Sequence, residues 1–113
     1  MILPNFAAAA LGNRETMAEQ ARKASELLKA LAHENRLLIL CLLAEGEKTV
    51  TELEEILALP QAAVSQQLAR LRFDRLVNTR RDGRNIYYSI ASGEVSSVVG
   101  TLYGLFCKVP EPA

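Results

Sequence analysis

Hydrophobic residues recur along the first half of the chain with the three- and four-residue steps of an α-helix. From Thr16 onwards they form one apolar stripe with charged residues between its members, and the stripe consists of Met17, Ala21, Ala24, Leu28 and Leu31. A second apolar run, residues 37–43, contains one Cys among six aliphatic residues. Because this run is apolar on every side, it predicts a buried helix.

The middle of the chain predicts two further helices, one short and one long. Thr49 and Glu52 have the spacing of a capping box, which predicts a short helix over residues 50–57. Pro60 indicates the start of the next helix, because proline is tolerated in a first turn, and that helix extends to about Phe73. Its inward side chains are Val64, Leu68 and Leu71, and its opposite face carries Ala62, Ser65, Gln66, Ala69 and Arg70.

A β-hairpin and a last helix follow. The β-prone runs 77–81 and 84–90 flank Asp82-Gly83, and Asp-Gly is a strong signal for a two-residue turn in which both residues adopt positive φ. Ser92 then caps a helix with a wide apolar face, made of Val95, Val98, Val99, Leu102, Leu105 and Phe106. The pattern predicts a mainly α protein with a β-hairpin, in the order α-α-α-α-β-β-α. A short helix, a long helix and a hairpin in this order are typical of a winged helix-turn-helix.

The chain of 113 residues suits one domain with one core. We expect a flexible N-terminal segment at 1–14, a winged helix-turn-helix domain at 15–108 and a tail at 109–113. A content of 50% hydrophobic and 23% charged residues excludes wholesale disorder. No apolar stretch reaches the roughly 20 residues of a membrane-spanning helix. Two cysteines are too few for a disulfide-stapled secreted scaffold, so we expect the chain to be cytoplasmic.

The net charge is zero, which at first argues against a nucleic-acid partner. The charges are unevenly placed, however. Residues 45–55 hold five acids and one lysine, whereas residues 70–84 hold six arginines and two aspartates. A DNA phosphate is attracted mainly by the positive charges close to it. We expect the acidic stretch to lie far from this surface, and charges more than about 8 Å away are screened at physiological salt. The pattern favours DNA binding over a solvated hairpin with scattered ion pairs, or over a winged helix used only for protein–protein contact.

Candidate DNA-contacting residues lie on the second helix of the helix-turn-helix and at the hairpin tip. On the helix they are Gln61, Ser65, Gln66 and Arg70. Gln pairs with adenine through two hydrogen bonds, and Ser accepts or donates to several base edges. At the hairpin they are Arg80, Arg81, Arg84 and Asn85. The hairpin arginines offer planar donor groups that suit phosphates or the minor groove.

Two motifs resemble a known family. The runs ALAHENRL (residues 30–37) and VSQQLARLR (residues 64–72), with the arginine-bearing hairpin, resemble the ArsR/SmtB family of dimeric repressors. The resemblance covers about Ala21 to Cys107. It implies a homodimer joined through the first and last helices, with double-stranded operator DNA as its partner. Arg75 departs from the family pattern, which usually has Gly before the first strand of the hairpin.

Metal is a common signal in this family, but the residues disfavour it here. The family's arsenic-type site has a cysteine pair on the first helix of the helix-turn-helix, where this chain has the segment 50–53 without cysteine. Its zinc-type site needs His and carboxylate on the last helix, and residues 95–107 contain neither. His33 is the only histidine, and we interpret it as structural. We therefore expect no metal and no cofactor.

The remaining candidates for a signal-sensing site are Cys41 and Cys107. By residue type alone they fit two small buried hydrophobes. Their placement, with Leu53-Glu54 and the run LYGLFC (residues 102–107), resembles the dithiol repressors of the SqrR/BigR subgroup. The resemblance implies a sensor of persulfides and other reactive sulfur species. Such a protein binds operator DNA when reduced and releases it when its two cysteines are bridged by a di- to tetrasulfide.

Two other uses of the thiols stay open at this point. The same cysteines suit a repressor that senses peroxide or disulfide stress, because their positions do not distinguish oxidants. A thiol enzyme is disfavoured, since the chain has no Cys-x-x-Cys motif and no base near either cysteine in sequence. The sequence therefore predicts a regulator and not an enzyme.

Overall fold

The computed structural model describes residues 14–107, which contain five α-helices and three β-strands. The helices are α1 (Arg14–Leu31), α2 (Glu34–Glu45), α3 (Val50–Leu57), α4 (Gln61–Phe73) and α5 (Gly93–Leu102). The strands are β1 (Lys48–Thr49), β2 (Val77–Asp82) and β3 (Asn85–Ile90), and α5 continues into a π-helical turn, Tyr103–Cys107. Helix α1 begins two residues before the predicted Thr16. The expected tail at 109–113 and all but the last residue of the expected segment 1–14 lie outside the described residues.

The three strands form one antiparallel sheet in the order β1-β3-β2. Strand β2 pairs with β3 over six residues, from Val77 opposite Ile90 to Asp82 opposite Asn85. The hairpin was predicted, but β1, which pairs Lys48 with Tyr88 on the other edge of β3, was not. The predicted order therefore lacked one short strand, and the winged helix-turn-helix class is confirmed.

The hairpin turn lies one residue later than predicted. Asp82 pairs with Asn85 as part of the ladder, so the two turn residues are Gly83 and Arg84. Gly83 has φ of 64°, and Arg84 is not among the positive-φ residues of the described chain. Glycine at the first turn position followed by a residue with negative φ is the arrangement of a type II′ turn, which matches the twist of the strands. The expectation that Asp82-Gly83 forms the turn was therefore wrong.

The core collects apolar side chains from every helix and from the base of the hairpin. Its fully buried members are Ile39, Leu40, Leu53, Val64, Leu68, Leu71 and Val99. Val64, Leu68 and Leu71 face inward as predicted. Helix α2 is less enclosed than predicted, because Leu38 is 40% exposed within this one chain. The apolar residues of α2 therefore extend beyond the face of the helix that the rest of the chain buries.

Helix α1 is mostly exposed. Among its residues 15–31 only the last two, Ala30 and Leu31, are buried. Leu28, in the middle of the predicted apolar stripe, is 60% exposed. Most of the stripe is therefore left uncovered by its own chain, although its last member, Leu31, is buried in the core. None of the helices in the described part of the chain is long and apolar enough to cross a membrane.

Local sequence explains both ends of the helix-turn-helix. The Thr49 hydroxyl accepts a hydrogen bond from the Glu52 amide at 3.2 Å, and the Glu52 carboxylate accepts one from the Thr49 amide at 3.1 Å, which confirms the capping box. At the end of α4, the Leu76 amide donates to the Leu71 carbonyl at 2.9 Å around Arg75, whose φ is 61°. This is a Schellman motif with arginine where glycine is usual.

Candidate nucleic-acid interface and thiol positions

Burial fixes the rotation of α4 about its own axis. Val64, Leu68 and Leu71 are fully buried against the core, so the opposite side of the helix faces solvent. The four candidate residues of this helix, Gln61, Ser65, Gln66 and Arg70, are all exposed on it. Helix α3 packs against α4 and completes the helix-turn-helix. The structure therefore presents a polar helical surface of the size that a DNA major groove admits.

Arg70 is held at the C-terminal end of this surface by its neighbours. Its Nε donates to Oδ2 of Asp74 at 3.2 Å, and its guanidinium lies 5.7 Å from the centre of the Phe73 ring. Phe73 is 78% exposed, so the contact is open to solvent. An exposed pair of this kind contributes little to folding, which leaves Arg70 available to an incoming phosphate.

Gln67 differs from its neighbour Gln66 although the side chains are identical. It is half-buried and accepts a hydrogen bond from Nε of Arg36 at 3.0 Å, while Nη1 of Arg36 donates to the Ala30 carbonyl at 3.4 Å. Arg36 thus links the end of α1, the start of α2 and the middle of α4. The sequence did not predict this link, because Gln66 and Gln67 are the same residue type and differ only in the side of α4 on which they lie.

The candidate residues of the hairpin divide into two groups. Arg81, Arg84 and Asn85 are exposed near the turn. Arg80 instead contacts an acid on another element: its Nε donates to Oε2 of Glu47 at 3.1 Å, and its Nη2 donates to Oε1 of the same carboxylate. The expectation that the acidic stretch 45–55 lies away from the arginines was therefore wrong for Glu47.

The ion pair between Arg80 and Glu47 shifts the pKa of both residues. The hydrogen bond from Arg80 lowers the pKa of the Glu47 carboxyl, and the same bond raises the pKa of Arg80. Because the pKa of Glu47 is lowered, the pair is complete at neutral pH and is lost only as the pH falls through that lowered value. Arg80 also lies 4.6 Å from the centre of the Tyr87 ring, over which it stacks.

Pairing reduces the local positive charge predicted from sequence. Arg70 and Arg80 are each matched by a carboxylate. Four other arginines make no ion pair with any residue of the described chain, and they are Arg72, Arg75, Arg81 and Arg84. The unpaired charge is therefore concentrated at the end of α4 and at the hairpin turn.

Cys41 lies on α2, and Cys107 lies in the turn that continues α5, the helix that packs on α2. Cys41 is half-buried and contacts the hydrophobic core. Cys107 is the last residue of the π-helical turn. His33 precedes α2 as its N-cap residue without a side-chain capping bond. Within residues 14–107 no three His, Cys, Asp or Glu side chains form a group that could hold a metal ion.

A helix-turn-helix with an exposed polar second helix, followed by an arginine-bearing wing, defines a winged-helix transcription regulator. The comparisons agree with this class. Residues 33–79 match the family described as "Bacterial regulatory protein, arsR family". The chain belongs to this ArsR family.

Its relatives are regulators of both signs. The chain is 45% identical over 96 residues to the transcriptional activator HlyU of Vibrio cholerae, covering 85% of this chain and 89% of HlyU. It is 40% identical over 100 residues to the biofilm growth-associated repressor of Xylella fastidiosa, covering 88% of each chain. A solved structure of reduced HlyU from Vibrio cholerae superposes with a TM-score of 0.79 at 45% identity, over 83% of this chain and 99% of that one.

Proposed function

We propose that the chain is a homodimeric, dithiol redox-responsive repressor. It binds operator DNA when Cys41 and Cys107 are reduced, and it releases DNA when reactive sulfur species bridge the two thiols. The observation that carries the proposal is the packing of α2, which bears Cys41, on α5, whose continuation ends at Cys107. A bridge between these residues would join the core of the DNA-binding unit to the end of its last helix.

The DNA-binding part of the proposal rests on the exposed surface of α4 and on the hairpin turn. Gln61, Ser65 and Gln66 are placed to meet base edges, while Arg70 at the end of α4 is placed to meet a phosphate. At the turn, the proposed contacts are Arg81, Arg84 and Asn85. Base contacts would supply specificity, and phosphate contacts would supply most of the affinity.

The dimer is supported by apolar surface that one chain leaves uncovered. Leu28 on α1 is 60% exposed, and in the turn after α5 Leu105 and Phe106 are 70% and 81% exposed. Exposed large apolar side chains of this kind are typical of a protein–protein interface. They lie on the first helix and in the continuation of the last one, and the family resemblance implies dimerisation through the first and last helices. Two copies would present two α4 helices to half-sites about one DNA turn apart.

The redox part follows from thiol chemistry. One cysteine thiolate attacks a sulfane sulfur of a polysulfide, a thiolate leaves, and the cysteine becomes a persulfide. The second thiolate then attacks the sulfur that belongs to the first cysteine, hydrosulfide leaves, and a disulfide remains. If the persulfide first takes up one or two further sulfane sulfurs from other polysulfide molecules, with a thiolate leaving each time, the second thiolate attacks the last-but-one sulfur of the chain, hydrosulfide leaves, and the bridge contains three or four sulfurs. The polysulfide is the oxidant of the sulfur-transfer steps and the cysteine persulfide is the oxidant of the bridging step; a thiolate and hydrosulfide are the respective reduced products.

Bridging would alter DNA affinity through the dimer. Helix α5 packs on α2 on one side and leads into the exposed apolar turn on the other. A bond between Cys41 on α2 and Cys107 at the end of this turn would change how the turn packs against a second copy. It would thereby change the distance between the two α4 helices of the dimer. Couplings between two such sites are typically about 1–3 kcal/mol, so oxidation should lower operator affinity by about 5- to 150-fold.

The test measures DNA binding and mass on the same sample. A fluorescent duplex is first selected from a random library with the reduced protein, and its anisotropy is then followed before and after treatment with a polysulfide. We expect wild-type protein to release the duplex and to gain sulfur atoms between Cys41 and Cys107. Peroxide treatment separates the competing signal, because it forms at most a direct disulfide with no added sulfur.

Single serine variants provide the matched controls. Cys41→Ser and Cys107→Ser should bind the duplex like the reduced wild type and should not respond to polysulfide. If either variant still releases DNA after treatment, the two thiols are not the sensor. If the reduced wild type shows no salt-dependent affinity for any duplex, the DNA-binding part is wrong instead.

A further inference from the structure

We propose that Arg80 positions the wing and does not contact DNA: the Glu47 carboxylate and the Tyr87 ring hold its guanidinium as a brace between the hairpin and the helix-turn-helix. This inference refines the DNA-binding surface described above and rests on that proposed function. It also assigns a role to Glu47, an acid whose charge would by itself repel DNA.

Strand register places the three side chains on one face of the sheet. Arg80 pairs with Tyr87, and Thr49 pairs with Tyr87 from the other side. Glu47 lies two residues before Thr49 and so projects on the same side. Val77, which has the opposite phase from Arg80 on β2, is buried in the core. The brace therefore lies on the outward face of the sheet, with the central strand β3 between its two ends.

Two of the three guanidinium nitrogens of Arg80 are already engaged on this face. Its Nε and Nη2 donate to the two oxygens of Glu47, its plane stacks over Tyr87, and its Nη1 lies 3.9 Å from Oδ2 of Asp82. A phosphate would have to displace a paired carboxylate to reach the same donors. Parallel hydrogen bonds of this kind fix direction as well as distance, which suits a positioning role.

The brace adds a side-chain link between the hairpin and the segment that leads into the helix-turn-helix. Strand β1 contributes only two residue pairs to the sheet, yet it is the link between the wing and the capping box at the start of α3. Arg80 crosses β3 and fastens the outer strand β2 to the residue just before β1. Since α3 packs against α4, the wing is thereby held at a defined position relative to the helix that would read the bases.

Arg81 and Arg84 provide the contrast. Arg81 is the next residue on β2 and has the phase of Val77, and Arg84 is a turn residue. Neither makes an ion pair within the described chain, so both are open to phosphate. The structure thus separates three hairpin arginines that are equivalent by residue type into one brace and two candidate contacts.

The decisive measurement is DNA affinity as a function of salt for Arg80→Lys and Glu47→Gln. Lysine keeps the positive charge but lacks the planar fork that bonds Glu47 and stacks on Tyr87. We expect each variant to bind about three- to fivefold more weakly, as for loss of a well-formed exposed pair. The salt slope should stay unchanged, because no phosphate contact is lost. Arg84→Ala, the matched comparison, should reduce the slope by about one.

If Arg80 instead contacts DNA directly, neither variant should weaken DNA binding in this way. In that case Arg80→Lys retains affinity, and Glu47→Gln binds more tightly because an acid that competes with phosphate is gone. The double variant Arg80→Lys/Glu47→Gln also discriminates. A brace predicts that it is no weaker than either single variant, whereas effects that add in the double variant overturn the proposal.

A measurement without DNA separates failure of the brace from failure of the proposed function. In hydrogen exchange on the free protein, the amides of β1 and of its partners on β3 should exchange faster in Arg80→Lys and Glu47→Gln than in wild type. Arg84→Ala should leave these amides unchanged. Unchanged exchange in the first two variants contradicts the brace, even if the protein binds DNA as proposed.

Discussion

At the residue scale, identical side chains acquire different roles from one step of helical phase. Gln66 is exposed on the outer face of α4, whereas Gln67 accepts a hydrogen bond from Arg36 and faces α2. The hairpin arginines differ in the same way, since alternation along β2 directs Arg80 and Arg81 to opposite faces. Side-chain chemistry thus defines what a residue can bind, and its phase within the element decides whether it can reach a partner.

The glutamine pair yields a prediction about specificity. Gln66→Ala should weaken binding to a selected operator by about 1–3 kcal/mol, because a base-edge contact is lost, and should leave affinity for unrelated duplexes unchanged. Gln67→Ala is the matched control, with reduced folding stability and unaltered discrimination between sequences. Competition anisotropy with the two kinds of duplex checks this. Equal weakening on both duplexes by Gln66→Ala would mean that the residue does not read bases.

At the element scale, the helix-turn-helix is defined by how its helices begin and end. The capping box starts α3 directly after the two-residue strand β1, and the Schellman motif ends α4 directly before β2. Both junctions satisfy backbone groups that a helix leaves without partners. They also set the directions from which the wing strands enter and leave. Local hydrogen bonds at these ends therefore control the placement of the wing.

The start of α3 can be tested by removing its cap. Thr49→Ala should lower the free energy of unfolding by about 1 kcal/mol, because the Glu52 amide loses its acceptor. Thr51→Ala, an exposed position on the same helix, should have a much smaller effect. Urea denaturation of reduced protein measures both changes. Similar losses in the two variants would argue against a specific contribution from the capping box.

The end of α4 gives a prediction of opposite sign. Arg75 holds a left-handed backbone conformation that is costly for most residues with a Cβ atom and free of strain for glycine. Arg75→Gly should therefore raise the free energy of unfolding by about 0.5–1 kcal/mol, after allowance for the greater freedom of glycine in the unfolded chain. Arg72→Gly, inside the helix, should instead destabilise by about 1 kcal/mol. Loss of stability in both variants would show that the Arg75 side chain makes a stabilising contribution larger than the strain.

Element types followed from periodicity and capping signals, because each depends on a few neighbouring residues. The capping box, the inward face of α4 and the hairpin all have this local origin. Strand β1 could not be predicted, since two residues carry no periodicity and become a strand only by pairing with Tyr87 and Tyr88. The turn was misplaced because Asp82 could serve equally as a turn residue or as the last pair of the ladder.

The sequence likewise predicts those features of the site that depend on neighbouring residues, but not those that depend on contacts between distant ones. Exposure of the candidate residues on α4 follows from the helical repeat, so their side chains lie where the sequence predicts. The contact of Glu47 with Arg80 joins residues 33 positions apart and depends on the register of all three strands. An argument from charge runs along the sequence could not detect it.

At the scale of the whole molecule, the shape of one chain is incomplete. Helix α1 leaves most of its apolar stripe exposed, and the turn after α5 exposes Leu105 and Phe106. In the proposed homodimer, these uncovered surfaces would face each other across a two-fold axis. Assembly would therefore determine the relative position of the two α4 helices. A single chain could occupy only one half-site.

This arrangement predicts that a charge within the stripe separates the copies. Leu28→Glu should convert a dimer into a monomer in sedimentation experiments, because the carboxylate would be buried at the interface without a partner. The monomer should also lose operator affinity. Ile86→Ser removes a partly exposed apolar side chain from the wing, and should leave the dimer intact. A Leu28→Glu protein that remains dimeric would exclude α1 from the interface.

The exposed length of α1 has a thermodynamic consequence. Helix α1 spans 18 residues, and among residues 15–31 its own chain buries only the last two. Helices in proteins owe most of their stability to tertiary packing, so in the proposed homodimer much of the free energy that orders α1 would come from the second copy. Folding of this helix would then be linked to association by mass action. The unfolding midpoint should rise with protein concentration, and dilution alone should reduce helix content before the core of any single chain unfolds.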